Sequence, residues 1–228
     1  MKKKIYFITQ AKGGAGKSVL AFMLAEKYKD AVVLDLDDAT KTSMKQLAYR
    51  KPVKVSFLDP TTKRIDRGAF NGLFESIIEA KKDLFIADLG ASVAEQLPKY
   101  FEMNGVNVVM DVLKSTNIQL QIVCVILGGN NFKATMEYLE ELVDASQGSL
   151  DIIVAKNGLD PYSDEQTTVL SDFVSANKLP VINFDLVKDK GELALQTVKN
   201  VLKEGKGIAG LSPFTSIYFK RPIEELNL

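Results

Sequence analysis

The chain has 228 residues, with 29 lysines and arginines balancing 29 aspartates and glutamates, so its formal net charge is zero. It contains one cysteine and no histidine. This composition excludes an intrachain disulfide, a cysteine-based metal cluster, a histidine-ligated zinc and histidine acid–base catalysis. The balanced charge argues against coating nucleic acid through bulk electrostatics, and the 46% hydrophobic content excludes wholesale disorder. Any catalysis must therefore use carboxylates, lysines, main-chain amides or a hard metal ion.

Short apolar, β-branched runs alternate with helical patterns, which is typical of βαβ units around a parallel sheet. Strands are predicted at 5–8, 31–36, 84–87, 121–127, 151–155 and 181–184, with 53–58 as a further candidate. Helices are predicted at 18–28, 68–80, 93–103, 132–145, 163–176 and 191–202, whereas 106–113 fits either a strand or a helix. We expect an α/β, doubly wound, mostly parallel sheet with helices on both faces. It would form one domain over 1–228, with an irregular C-terminal tail from 205.

A glycine-rich loop between the first strand and the first helix is the strongest motif. Residues 12–18 read Lys-Gly-Gly-Ala-Gly-Lys-Ser, although the general phosphate-loop pattern would place a glycine at Ala11. Glycines let successive main-chain N–H groups face one concavity, and the helix N-terminus adds its own amides. Lys17 would contact the phosphates and the Ser18 hydroxyl would bind Mg²⁺. The alternative is a glycine-rich turn that only caps the helix.

A lysine at the head of this loop makes the motif similar to the deviant Walker A motif of the ParA/MinD family of ATPases. The resemblance implies ATP and Mg²⁺ as cofactors, and Lys17 as the usual phosphate lysine. It also implies that Lys12 reaches across a homodimer, in the ATP state, to the partner's nucleotide. The nucleotide-binding residues would then be Gly13, Gly14, Ala15, Gly16, Lys17, Ser18 and Val19.

Carboxylates lie at the end of the second strand, at the edge where a doubly wound sheet binds its ligand. The family has an Asp-x-Asp here, so the resemblance assigns Asp37 to orienting the attacking water and Asp35 to the Mg²⁺ shell. Family members usually continue with Pro-Gln, whereas this chain has Asp38 and Ala39. For Asp38 we favour a simpler role in a turn or at a helix N-cap.

Asp88 follows four apolar residues and fits the Walker B position, where a carboxylate holds a Mg²⁺-bound water. The family's proline is missing from the sequence that follows, Leu-Gly-Ala-Ser at 89–92. The alternative role is to cap the helix that begins near Ser92. Further along, the resemblance assigns Asn157 to the adenine edge, since an amide offers both a donor and an acceptor. An Asn-Gly turn is the alternative there, and 184–186 would flank the base.

The resemblance implies a Mg-ATP-dependent dimerising switch for plasmid DNA partition, stability or positioning, with slow, partner-stimulated hydrolysis. Small plasmid-encoded, StbB-like members are similar in size, and a link to conjugation is a further reading. Partners would be an adaptor or DNA-binding protein and nonspecific DNA, because 188–221 carries seven basic against three acidic side chains. The alternatives are a small-molecule kinase or ATP-dependent ligase, or a nucleotide-binding adaptor that hydrolyses weakly.

We expect a cytoplasmic protein, with association with the nucleoid as a further reading. The apolar run after the basic N-terminus is too short for a signal peptide, and the longest apolar run, 122–127, is too short to span a bilayer. A membrane anchor at the C-terminus is not expected either. Residues 222–228 contain a proline and two glutamates and lack the basic and bulky apolar faces of an interfacial helix.

Overall fold

The computed structural model describes residues 2–38, 42–59, 61–186 and 191–228, and within them seven strands form one sheet. The strands are β1 (Lys3–Thr9), β2 (Val32–Leu36), β3 (Val53–Lys54), β4 (Leu84–Leu89), β5 (Ile118–Ile126), β6 (Asp151–Asn157) and β7 (Val181–Phe184). Their order is β3-β2-β4-β1-β5-β6-β7, and neighbouring strands are parallel. The predicted doubly wound α/β fold is confirmed.

Helices connect the strands and cover both faces of the sheet. They are α1 (Lys17–Lys27), α2 (Thr42–Gln46), α3 (Ala69–Glu79), α4 (Ala91–Ala94), α5 (Leu97–Asn104), α6 (Val106–Ser115), α7 (Phe132–Ser146), α8 (Asp164–Ala176), α9 (Glu192–Glu204) and α10 (Pro213–Glu224). Alternating residues of β1 enter two separate cores: Phe7 joins the side of α3 and α5–α8, and Ile8 joins the side of α1, α9 and α10. Burial on both faces explains why the strand is continuously apolar.

The register of the central strands places the site. Ile8 of β1 lies opposite Asp88 of β4, and Asp35 of β2 lies opposite the same Asp88. Since all three strands are parallel, the ends of β1, β2 and β4 meet at one edge of the sheet. The loop after β1 therefore starts beside both carboxylates.

Several segments differ from their sequence-based assignment. The ambiguous run 106–113 is helical, and β3 covers only two residues of the predicted strand at 53–58. The predicted helix at 93–103 is divided between α4 and α5, with a proline in the first turn of α5, a position that proline favours. None of the described helices is long and apolar enough to cross a membrane.

The prediction of an irregular C-terminal tail is wrong, because α10 lies within it. Ser212 is the N-cap and accepts a hydrogen bond from the backbone N–H of Thr215 at 3.3 Å, and Pro213 occupies the first turn. The glycines that suggested irregularity lie in the connection before the helix. Phe219 is fully buried and packs edge-on against Phe22 of α1 at 6.1 Å between ring centroids. The helix is therefore part of the core.

Phe219→Ala should lower the free energy of unfolding by about 3 kcal/mol or more, because it leaves a cavity between α10 and α1. Phe214→Ala is the matched control: Phe214 lies on the same helix but is 84% exposed, so its loss should change stability by less than about 0.5 kcal/mol. Urea unfolding followed by circular dichroism measures both. Equal effects of the two substitutions would show that α10 is not docked as described.

Candidate functional site

The loop between β1 and α1 takes a conformation that glycine permits. Gly14 and Gly16 have φ values of 75° and 95°, in the left-handed region that disfavours side chains. A Cβ on Gly16 would also lie 2.4 Å from Nδ2 of Asn157. Gly16 directly precedes α1, so the loop leads into the unpaired amides of a helix N-terminus. This is the geometry of an anion-binding cradle.

Lys17 is held at this loop by main-chain oxygens. Its Nζ donates to the carbonyl of Gln10 at 2.7 Å and to that of Lys12 at 3.3 Å. The residue is only 8% exposed, and burial lowers the pKa of its ammonium, an effect partly offset by the nearby carboxylates of Asp88 and Asp37. The ammonium group is therefore held beside the loop by carbonyl oxygens that the oxygens of a bound anion could replace.

Gln10 supports the loop from beneath and was not singled out from the sequence. It is fully buried, and its Nε2 donates to the carbonyl oxygens of Val125 at 2.7 Å and Thr135 at 3.1 Å. Its Oε1 accepts from the backbone N–H of Lys12 at 3.3 Å. The sequence does offer a signal for this residue, because a polar glutamine follows an apolar strand just before the glycine-rich loop. Gln10 therefore connects both loop lysines to β5 and α7.

Ser18 and Asp88 lie together, as their predicted roles require. The Ser18 hydroxyl donates to Oδ2 of Asp88 at 2.6 Å, and Asp88 is almost fully buried. A serine hydroxyl and a carboxylate are hard oxygen donors of the kind that Mg²⁺ prefers. The residues present therefore fit a magnesium ion beside the loop.

Asp37 lies where the ends of β2 and β4 approach each other. It lines the cavity described below, and a Cβ on Gly90 would lie 2.8 Å from its Cα. Glycine at position 90 thus allows the segment after β4 to pack directly against Asp37. This contact brings Asp37 to the same side of the loop as Asp88.

The structure does not bring Asp35 into the cavity. The residue is fully buried, and its two carboxylate oxygens accept from the backbone N–H groups of Asp37 and Met44, each at 3.0 Å. Burial raises the pKa of its carboxyl group, although the two hydrogen bonds lower it. We therefore replace the predicted magnesium role with a structural one, in which Asp35 ties the end of β2 to α2.

Asp38 also has a structural place, in line with the turn that we favoured. Its Oδ2 accepts from the backbone N–H of Phe57 at 2.7 Å, and its Oδ1 lies 3.6 Å from Nζ of Lys54. These contacts tie the segment after β2 to the residues around β3. Ala39, the other departure from the family pattern, lies outside the described residues.

Asn157 contacts the loop from the end of β6. Its Nδ2 donates to the carbonyl of Ala15 at 2.9 Å, and its Oδ1 accepts from the backbone N–H of Leu159 at 3.0 Å. It is 6% exposed. One donor and the acceptor of the amide are thus used within the protein, and Asn157 is not among the residues that line the cavity described below. Its contact with adenine stays a prediction. Phe184 of β7 also packs beside Gly16: a Cβ added to Gly16 would lie 3.6 Å from Cζ of Phe184.

A cavity of about 530 Å³ opens above the loop, within the usual size range of small-molecule sites. It is lined by Gly13, Gly14, Ala15, Gly16, Lys17, Ser18, Val19, Asp37, Gln46, Asp88, Leu89, Ala91, Ser92 and Glu95. The sequence reasoning missed Gln46 and Glu95, which carry no motif. Lys12 is exposed, on the loop that forms one wall.

Comparisons by sequence find no match: no protein-family model matches the chain, and no curated protein does. Solved structures do resemble it. A protein described as a plasmid partition protein of Borrelia burgdorferi, bound to AMPPNP, superposes with a TM-score of 0.56 at 11% identity, over 99% of this chain and 96% of that one.

Two further structures share the architecture. A chain of the MinC:MinD cell division protein complex of Aquifex aeolicus gives a TM-score of 0.53 at 14% identity, covering 99% of this chain and 97% of that one. The hydrogenase maturation factor HypB of Archaeoglobus fulgidus gives 0.51 at 12% identity, covering 88% and 90%. Likeness at this identity establishes the fold. The chain therefore has the α/β fold of P-loop NTPases.

Proposed function

We propose that the chain is a Mg²⁺-ATP-dependent ATPase switch of the ParA/MinD type, which dimerises when it binds ATP. The observation that carries the proposal is that the loop has two lysines, one buried and one exposed. Lys17 is buried against the carbonyls of the loop, whereas Lys12, at its head, is exposed. The first would contact a phosphate bound in the same subunit, and the second would reach the nucleotide of another molecule.

The residues of the cavity divide the work of ATP hydrolysis. Lys17 would exchange its carbonyl partners for phosphate oxygens, and main-chain amides of 13–18 would bind the remaining oxygens. Ser18 and Asp88 would hold the magnesium ion, Asp88 through a bound water. The ion, when bound, neutralises charge on the phosphates. Asp37, on the β2–β4 side, would orient the attacking water.

Lys12 would couple hydrolysis to dimerisation. A cation supplied by a second subunit stabilises the charge that develops on the transferred phosphoryl group, as an arginine finger does. Each subunit's site would then be complete only in the dimer. A small-molecule kinase or ligase needs only the ordinary phosphate lysine, so the dependence on Lys12 separates these functions.

The cellular role that we propose is the positioning of plasmid DNA, in the cytoplasm and together with an adaptor or DNA-binding protein. The partition protein bound to AMPPNP shares this fold. The basic residues that would contact DNA include Lys199, Lys203 and Lys220, all exposed on α9 and α10. Lys206 and Arg221 are paired with glutamates, and Lys188 and Lys190 lie outside the described residues.

Lys17→Ala should abolish ATP binding, because it removes the cation placed for the phosphates. The expected loss of binding free energy is about 3 kcal/mol or more, which corresponds to two hydrogen bonds between charged groups. Calorimetric titration with ATP and Mg²⁺ measures it, with Lys133→Ala, an exposed lysine of α7, as the control. Retained binding by a folded Lys17→Ala protein would contradict the phosphate-loop assignment.

Lys12→Ala should leave ATP binding within about threefold of the unmodified chain, because its side chain is exposed and acts on a second subunit. The ATP-dependent dimer and ATP hydrolysis should both be lost. Light scattering after size-exclusion chromatography, with ATP, ADP or neither, gives the mass in each state. A dimer that persists in Lys12→Ala would refute the role of this lysine in the partner's site.

DNA binding should require ATP and weaken steeply with salt, because the contacts are to phosphates. The logarithm of the affinity should fall with the logarithm of the salt concentration, by a slope of about 0.9 for each phosphate neutralised. Fluorescence anisotropy with a labelled duplex measures this slope. A flat salt response, or equal binding with ADP and ATP, would count against DNA as a partner.

A further inference from the structure

Gln46 lines the cavity from the end of α2, the short helix between β2 and β3. The other lining residues come from the loop and the start of α1, from Asp37 after β2, and from 88–95. The opposite side of the loop, at Gly16, packs against Asn157 and Phe184 of β6 and β7. Gln46 therefore shares the β2–β4 side with Asp37 and Asp88, where the magnesium ion and the attacking water would lie in the proposed function.

The carboxamide of Gln46 has an unused buried polar atom. Its Oε1 is inaccessible to solvent and has no hydrogen-bond partner among the residues that the structure describes. Leaving such an atom unsatisfied costs roughly 1–3 kcal/mol, so native structures rarely retain one without a reason. A carboxamide carries two donors and one acceptor, and it exchanges their positions by a half-turn of the terminal group. After that half-turn the NH₂ group takes the place of the unpartnered oxygen, and its N–H donors suit a ligand with acceptor oxygens.

The position of α2 is determined from two directions. At its start, the backbone N–H of Met44 donates to the buried Asp35. Behind it, the connection after α9 approaches so closely that a Cβ on Gly205 would lie 2.0 Å from the carbonyl oxygen of Lys45. Just after α2, the N–H of Tyr49 donates to the carbonyl of the same Gly205 at 3.0 Å. These contacts hold Gln46 in the wall before any ligand binds.

We propose that Gln46 binds the terminal phosphate of the nucleotide and so lets the site distinguish a triphosphate from a diphosphate. The carboxamide would donate its Nε2–H to an oxygen of that phosphate. An amide adds a donor without adding charge, in a wall that already contains the carboxylates of Asp37, Asp88 and Glu95. This inference rests on the proposed function, since it requires that the cavity bind a nucleotide.

The test compares the affinities for AMPPNP and for ADP, each with Mg²⁺, by calorimetric titration. Gln46→Ala should weaken AMPPNP about tenfold, since it removes one hydrogen bond to a charged group. Its affinity for ADP should stay within about twofold. Gln46→Glu, of nearly the same shape, should weaken AMPPNP further, because a carboxylate repels the phosphate. Gln196→Ala, an exposed glutamine of α9, is the control and should change neither affinity.

The outcomes separate this inference from the proposed function. If the unmodified chain binds neither nucleotide, the proposed function fails, and the inference fails with it. If the chain binds both and Gln46→Ala weakens neither, or weakens both equally, the inference alone is overturned, because a purely structural role would act on both. Thermal unfolding checks that each variant folds. If Gln46→Ala does not fold, the affinities of Gln46→Glu decide: a loss for AMPPNP alone supports the inference, and an equal change for AMPPNP and ADP overturns it.

Discussion

The parallel pairing of β1 with β4 is the constraint on which the site depends. Ile8 and Asp88 are partners in this register, so the glycine-rich loop starts beside the carboxylate near the end of β4. The hydrogen bond of 2.6 Å from Ser18 to Asp88 then joins the first turn of α1 to that strand. A shift of one residue in the pairing would move Asp88 to the other face of the sheet and separate the two groups that fit a magnesium ion.

Three buried polar side chains hold the loop and the start of α2 in place. Gln10 and Asn157 bond to the main chain of the loop, at Lys12 and Ala15, and Asp35 bonds to the first turn of α2. Each uses its polar atoms on main-chain groups, and losing such a partner inside the protein is costly. Glycines give the loop its shape, and these side chains keep it in that shape. A loop organised in this way before binding has less entropy to lose when it takes up phosphate.

The parts of the fold that the sequence predicted well are those whose signals are local. A strand, a glycine-rich run, a lysine and a helix follow one another within 3–27, and the structure places them in that order. A local signal for α10 is present too, because Ser212 and Pro213 form a standard helix start. The three glycines just before it, at 205, 207 and 210, favour an irregular segment and led to the wrong prediction. The run 106–113 was ambiguous because it is rich in valine, which favours strands, and because its apolar residues extend beyond the buried face of α6 to the exposed Val108 and Val112.

The contacts of Asp35 and Asn157 and the position of Gln46 could not be predicted in the same way. Asn157 contacts Ala15 across 142 positions of the chain, and only the order of the strands brings the two together. Asp35 belongs to a motif whose two aspartates look alike in sequence, whereas the backbone N–H groups of Asp37 and Met44 hold only the Asp35 carboxylate inside the protein. Gln46 carries no motif at all. Its place in the cavity depends on how α2 packs against the connection after α9.

The most direct test of the account follows the amide resonances of 13–18 in a ¹⁵N-labelled sample titrated with AMPPNP and Mg²⁺. If main-chain amides of this loop bind the phosphates, their signals should move further than those of any other segment. Inorganic sulfate at high concentration should move the same signals in part. Unchanged loop signals at nucleotide concentrations that shift resonances elsewhere would contradict the account, because the nucleotide would then bind at another site.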